Sequence, residues 1–357
     1  MKATLHAELA NHNLHFKGFF DKMTDSDRIR IERLQSIFLN NFRVTRLFAQ
    51  YLESYPEIIS KEMIDTLTED GSITREEAIV ALLSEIFALD FTNKDDRILI
   101  RDYMTPSVKI LNKEKYENNP YYKNIHLKDI KDGAWEIRNE EYKPYRGVIC
   151  DDMMLLDGFR EVPPLGFFPE GFSFPAILEN GNEWMTLTPV DLDTCEEAIN
   201  AAHGKVVTFG LGLGYYAYMA AEKSDVESVT VVELSEDVIK LFKTHILPQM
   251  PNRHKIKIIN MDAFEYAEKI MPSEGFNLAF VDTWRDVSDG APMYRKMKAL
   301  ENLSPNTQFM YWIENFLISR CRAEKFAELI NLIDLGEYAP KDYSEVENAL
   351  LNPLNHS

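Results

Sequence analysis

Between Val206 and Ile333 the chain shows one local pattern five times: a short apolar run, then a segment whose apolar residues recur every three to four positions. The runs cover 206–209, 229–232, 256–259, 276–281 and 309–313. Helices are predicted after them over 215–223, 235–246, 263–270, 292–300 and 322–333. Strands separated by helices pair in parallel, and a parallel sheet is apolar on both sides. Helices must therefore cover both faces, and the expected fold class is α/β with a doubly wound sheet.

The chain upstream has a different texture. Thr24 and Ser26 offer N-caps to a segment in which Ile29, Ile31, Leu34, Ile37, Phe38, Phe42 and Phe48 keep helical spacing. Thr74 and Glu77 form a capping box before the apolar run 78–83, and a further helical stretch covers 95–103. From Tyr145 to Thr188, short apolar runs alternate with Gly, Pro and Asn. Asp157-Gly158 and Asn180-Gly181 are hairpin signals, because a tight primed turn needs positive φ. Pro175 is expected on an edge strand. The resulting organisation is a helical N-terminal domain (1–144), a β-hairpin connector (145–190), the α/β domain (191–340) and a C-terminal tail (341–357).

Composition narrows the function classes. The net charge is −19, and it is uneven: residues 1–150 hold 22 basic and 25 acidic side chains, the remainder 17 and 33. An acidic surface repels a phosphate backbone, so nucleic acid is disfavoured as a partner. Cys150, Cys195 and Cys321 are too widely spaced for a disulfide framework or a Cys-x-x-Cys metal pair. His12-x-x-His15 has no second ligand pair nearby and is read as structural or solvated, so no metal is expected. No apolar stretch approaches the roughly 18 residues of a membrane span, and no secretory h-region follows Met1. A soluble cytoplasmic protein is expected.

The chemistry-bearing residues follow the strands. Gly210-Leu211-Gly212-Leu213-Gly214 joins the first run to its helix, where glycines let the backbone approach a ligand and helix N–H groups face it. Glu233 closes the second run, where an acid takes both hydroxyls of a ribose. Asp262-Ala263-Phe264 follows the third, an acid for an exocyclic amine beside a small and an aromatic residue. Asp282 ends the fourth, within Asp282-Thr283-Trp284-Arg285-Asp286. Tyr215 and Tyr216 lie just inside the helix after the loop, one expected to wall the pocket and the other to face the core.

This array resembles the class I S-adenosylmethionine-dependent methyltransferases, whose sheet is Rossmann-like. The resemblance covers roughly 206–313. It implies that Gly210, Leu211, Gly212, Gly214 and Tyr215 line the methionine part of S-adenosyl-L-methionine. Glu233 would hold the ribose, Asp262 and Ala263 the adenine, and Asp282 would face the transfer site. Such loops often carry an acid two residues before the first glycine; here that residue is Thr208. No pair of strands is evident after Ile333, so the antiparallel end of the sheet is expected to be shortened.

Within that superfamily the chain looks most like the spermidine-synthase-like proteins, through the β unit with Met154-Leu155-Leu156-Asp157-Gly158, the strand ending at Glu233, and Asp282 followed by Asp286 and Gly290-Ala291-Pro292-Met293-Tyr294. Their Gly-Gly-Gly-Asp-Gly loop and Asp-x-x-Asp-Pro segment are both altered here, which favours methyl transfer over aminopropyl transfer. Asp282 and Asp286 are the candidate base and acceptor-binding groups, Asp286 alternatively pairing with Arg285. Trp284 either stacks on an acceptor or packs inside. Asn119-Pro120-Tyr121-Tyr122 is similar to the Asn-Pro-Pro-Tyr signature of amino-methyltransferases but does not end the fourth strand, and is read as a turn. The function expected is methyl transfer from S-adenosylmethionine to a small, neutral or cationic acceptor. The N-terminal domain would shape the acceptor pocket or form a homo-oligomer contact. Alternatives are an aminopropyltransferase using the decarboxylated cofactor, a non-catalytic nucleotide-binding protein, and an NAD-dependent oxidoreductase, the last resting on Gly212–Ala217 alone.

Overall fold

The computed structural model describes residues 24–127 and 130–354, so His12 and His15 lie outside the described residues. Thr24 caps α1 (Asp25–Ser54), accepting a hydrogen bond from Asp27 N. Next come α2 (Lys61–Leu67) and α3 (Arg75–Ile86), the latter opened by the Thr74–Glu77 capping box that the sequence predicts. Then α4 (Lys94–Leu99) runs on through a π turn to Met104.

Short strands follow: β1 (Val108–Ile110) and, after α5 (Pro120–Asn124), β2 (Ile130–Asp132) and β3 (Trp135–Tyr142). Beyond them are β4 (Gly147–Ile149), β5 (Met154–Leu155), β6 (Glu161–Val162), β7 (Leu165–Phe167), β8 (Phe172–Glu179) and β9 (Asn182–Thr186). Strands β2, β3, β8 and β9 form one antiparallel sheet in that order. This corrects the helical reading of 1–144. Ile130, Trp135 and Ile137 alternate with Lys131, Glu136 and Arg138, a half-buried strand pattern that its charged residues disguise. Asn180 (φ 52°) and Gly181 (φ 82°) make the expected turn between β8 and β9.

The edge assignment of Pro175 is also corrected, since β8 lies between β3 and β9. Pro175 faces Asn139 on β3, and its carbonyl accepts from Leu187 N, one residue past the end of β9. A residue's N–H and C=O point toward the same neighbour, so the missing donor falls where that ladder stops.

The chain then enters its parallel sheet through α6 (Pro189–Ala201). The alternation is β10 (Gly204–Phe209), α7 (Tyr215–Glu222), β11 (Val226–Glu233), α8 (Glu236–Leu241), β12 (Ile256–Asn260), α9 (Ala263–Lys269), β13 (Leu278–Val281), α10 (Val287–Leu300), β14 (Gln308–Tyr311), α11 (Glu314–Asp334) and α12 (Tyr343–Leu351). The five strands are parallel, in the order β12-β11-β10-β13-β14, and among the described residues no strand follows β14. Val206, Val229, Val231, Leu278 and Phe280 pack on one face, and Val207, Phe209, Val232, Ala279 and Val281 on the other. The α/β class with a two-sided parallel sheet stands.

Two helices begin earlier than the sequence predicts. Asp286 and Asp289 form a capping box that starts α10 at Val287, leaving Pro292 inside the helix rather than at its start. Asp152, far away in sequence, accepts from Asn315 N (2.8 Å) and Phe316 N (3.0 Å) at the start of α11. The segment read as a tail contains α12. Its Val346 and Leu350 are buried with Ile31, Leu34 and Phe38 of α1 and Phe326, Leu329 and Ile330 of α11. Beside this cluster Arg322 pairs with buried Glu161 and donates from Nε to Leu350 O at 3.0 Å. Among the described residues no helix is long and apolar enough to cross a membrane.

Candidate active site

The strand order reverses between β10 and β13, which opens a crevice at their carboxyl ends. Phe209 and Val281 are in register, and Asp282 N donates to Phe209 O at 2.9 Å. The residues after them, Gly210 and Asp282, therefore abut. Gly210 has φ 95°, and a Cβ there would collide with the Asp282 carbonyl, so the position excludes any side chain. At Gly212 (φ 50°) a Cβ would strike Met185, which β9 lays over the loop.

The other strand ends line up beside this crevice. Buried Glu233 accepts from Leu211 N at 3.0 Å and from Ser235 N at 2.7 Å, one bond to each oxygen, and so ties down the glycine loop. Asp262 caps α9 through Oδ1, which accepts from Glu265 N at 2.9 Å. Ala263 is buried behind it, and the Lys296 ammonium lies 3.9 Å from the Phe264 ring centre.

Asn119-Pro120-Tyr121-Tyr122 is not a bare turn. Asn119 caps α5, donates from Nδ2 to Tyr215 Oη at 3.0 Å, and Tyr121 Oη donates to Leu213 O at 2.6 Å. Tyr122 Oη donates to Leu187 O at 2.7 Å. The short helix fastens the glycine loop from outside the parallel sheet.

Beneath Gly210 and Leu211 lies a cavity of about 30 Å³, lined by Asp191, Cys195, Thr208, Tyr215, Tyr216 and Asp282 and closed by Met185, Leu187, Phe280 and Trp312. Asp191 Oδ2 accepts from Thr188 N (2.7 Å) and Thr188 Oγ (2.9 Å), completing the capping box of α6. Burial raises the Asp191 carboxyl to about 6 against those two bonds. Asp282 is pushed up to about 8, first by burial, then by the negative charges of Asp191 and Glu233. Burial and the same two aspartates push the Cys195 thiol well above its ordinary value.

Of the residues singled out in the sequence, Gly210, Leu211, Tyr215 and Asp282 line this cavity. Gly212, Gly214, Glu233, Asp262 and Ala263 do not line it; they lie on the loop and along the neighbouring strand ends. Tyr216 lines it too, with its ring also stacked on Phe280. Trp284 is instead buried in the core, stacked on Tyr311 at 6.3 Å between ring centres. Asp286 is exposed and caps α10, accepting from Ser288 N at 2.6 Å. Sequence reasoning passed over Asp191 and Cys195. Their signal was the Thr188–Asp191 capping box and a spacing of four that puts both side chains on one face of α6. Among the described residues no cluster of His, Cys, Asp and Glu is arranged to hold a metal ion.

No family model matches the sequence, and no curated protein matches it. Solved structures similar to this one include a protein assigned as an O-methyltransferase from Klebsiella pneumoniae, 13% identical, with a TM-score of 0.24 over 32% of this chain and 48% of that one. Spermidine synthase from Thermotoga maritima is 12% identical, with a TM-score of 0.30 over 55% of this chain and 62% of its own. Precorrin 8W decarboxylase from Methanobacterium thermoautotrophicum is 20% identical, with a TM-score of 0.25 over 40% and 70%. The matched part thus spans less than two thirds of the first two proteins.

Proposed function

We propose that the chain is a transferase that binds S-adenosylmethionine along the carboxyl edge of its parallel sheet and moves the methyl group to a small acceptor. The observation that carries this reading is the row of ligand-type positions on four adjacent strand ends: Asp262, Glu233, Gly210 and Asp282 end or follow β12, β11, β10 and β13 in spatial order. The residues fit such a group. One Glu233 oxygen uses a lone-pair site on Leu211 N of the loop and the other on Ser235 N after β11, leaving an acceptor for each ribose hydroxyl. Asp262 keeps Oδ2 for an exocyclic amine. The loop backbone offers a surface without a Cβ at Gly212, once the flexible Met185 side chain shifts.

When bound, S-adenosylmethionine supplies a methyl group on a sulfonium whose leaving group is a neutral thioether. The protein's part is alignment and proton removal. Asp282, raised to about 8, matches a base working near neutral pH and takes the proton lost by the attacking nitrogen or oxygen. Trp284 is packed in the core and takes no part in this cavity. One observation favours aminopropyl transfer as a second reading: Asp191 brings another carboxylate to the cavity of Asp282, an arrangement suited to a diamine.

Calorimetric titration with S-adenosylhomocysteine tests the first reading, with binding expected; silence at millimolar ligand removes it. Tighter binding of decarboxylated S-adenosylmethionine than of the carboxylated form, with product from putrescine, selects the second.

A further inference from the structure

We infer that a second cavity, between the start of α3, the end of β1 and the segment after β7, is a binding site for a small zwitterion with an apolar side chain, either a free amino acid or a short peptide. It stands apart from the crevice of the transferase reading and shares no lining residue with it.

A volume of about 360 Å³ falls within the roughly 300–1,000 Å³ of small-molecule sites. Ile110, Leu111, Phe168 and Pro169 give the cavity apolar walls. Leu111 N donates to Phe167 O at 2.9 Å, and buried Phe168 stacks on Phe172 at 4.6 Å between ring centres, so these walls are fixed in place. Ile110 packs with the core of α3 and β7, whereas Leu111 and Phe168 pack with the core that reaches β10 and α7. The cavity thus lies where two apolar cores meet, a frequent place for a ligand.

Its four charged side chains divide into one closed pair and two single groups. Lys113 and Glu170 pair at 2.6 Å and cancel. The Arg75 guanidinium and the Glu114 carboxylate have no hydrogen bond or ion pair among the described residues. On a chain of net charge −19, a guanidinium left uncompensated beside apolar walls suits a carboxylate, to which it offers two parallel donors. Glu114 supplies the acceptor that an ammonium needs. A ligand with one charge of each sign and an apolar body engages all of these groups. A nucleotide or a polyamine carries charge of one sign and meets a repelling partner in Glu114 or in Arg75.

Calorimetric titration of wild type, Arg75→Gln and Glu114→Gln tests this. The probes are leucine, leucylleucine, the N-acetyl and amide derivatives of each, and glycylglycine. Wild type should bind leucine or leucylleucine at millimolar ligand, and the tighter of the two tells free amino acid from peptide. Its N-acetyl form, without the ammonium, and its amide, without the carboxylate, should each bind roughly fivefold or more weakly. Arg75→Gln should weaken the unblocked ligand by the same factor and leave the amide unchanged; Glu114→Gln should leave the N-acetyl form unchanged. Both substituted residues are exposed, and the blocked ligands make the same comparison in the unaltered protein. S-adenosylhomocysteine should bind all three proteins alike, whatever its affinity, and a difference would overturn the separation of the two sites. The site itself is overturned if wild type binds neither leucine nor leucylleucine, if glycylglycine binds as well as leucylleucine, or if neither variant changes any affinity. An effect of one variant alone overturns the zwitterion, leaving a ligand of single charge.

Discussion

Asp282 sits where an ionised carboxylate is disfavoured. Burial, Asp191 and Glu233 raise it from the ordinary aspartate value to about 8. A carboxyl raised in this way is held protonated by the folded state, so its contribution to stability is complete below about pH 4 and disappears as the pH rises through about 8. Asparagine at this position cannot ionise. The melting temperature of Asp282→Asn should therefore gain on wild type between pH 6 and pH 9, by a few degrees. Thermal denaturation of both proteins at the two pH values checks this, and parallel behaviour would count against a buried, ionisable Asp282. Asp191, raised to about 6, loses its share at lower pH in both proteins.

At the scale of elements, the glycine loop is held from two sides, by Glu233 within the sheet and by α5 outside it. Tyr121→Phe removes the Tyr121 hydrogen bond and leaves the buried Leu213 carbonyl unpaired, at a cost of about 1–3 kcal/mol. Amide exchange at residues 211–214 should quicken in this variant, while exchange in β12 stays unchanged. Equal protection of the loop in both proteins would show that Glu233 fixes it alone. These elements also show why part of the molecule is readable from its sequence. Gly210, Glu233, Asp262 and Asp282 each follow a strand defined by its own apolar run, so local chemistry places them at one edge. The start of α11 depends on Asp152, over a hundred and sixty residues earlier, and no local signal announces it. Trp284 turns inward because Tyr311 and Gly290 make room for its ring, a matter of tertiary packing. Asp191 reaches the crevice because α6 docks against the sheet, which its own residues do not specify.

In the whole molecule, α1, α11 and α12 close one apolar cluster, so the two ends of the described chain depend on each other. Leu350 is fully buried there, and Leu350→Ala should destabilise the protein by about 2–5 kcal/mol. Urea denaturation measures this; a change below about 1 kcal/mol would mean that α12 contributes little to the fold. The cluster also has a consequence in time. Phe38 emerges early from a ribosome, whereas Leu350 follows about 300 residues later, or about 15–60 s at ordinary elongation rates. For that interval α1 carries its apolar stripe without α12. Until α12 is made, that stripe stays open to water or to another apolar surface.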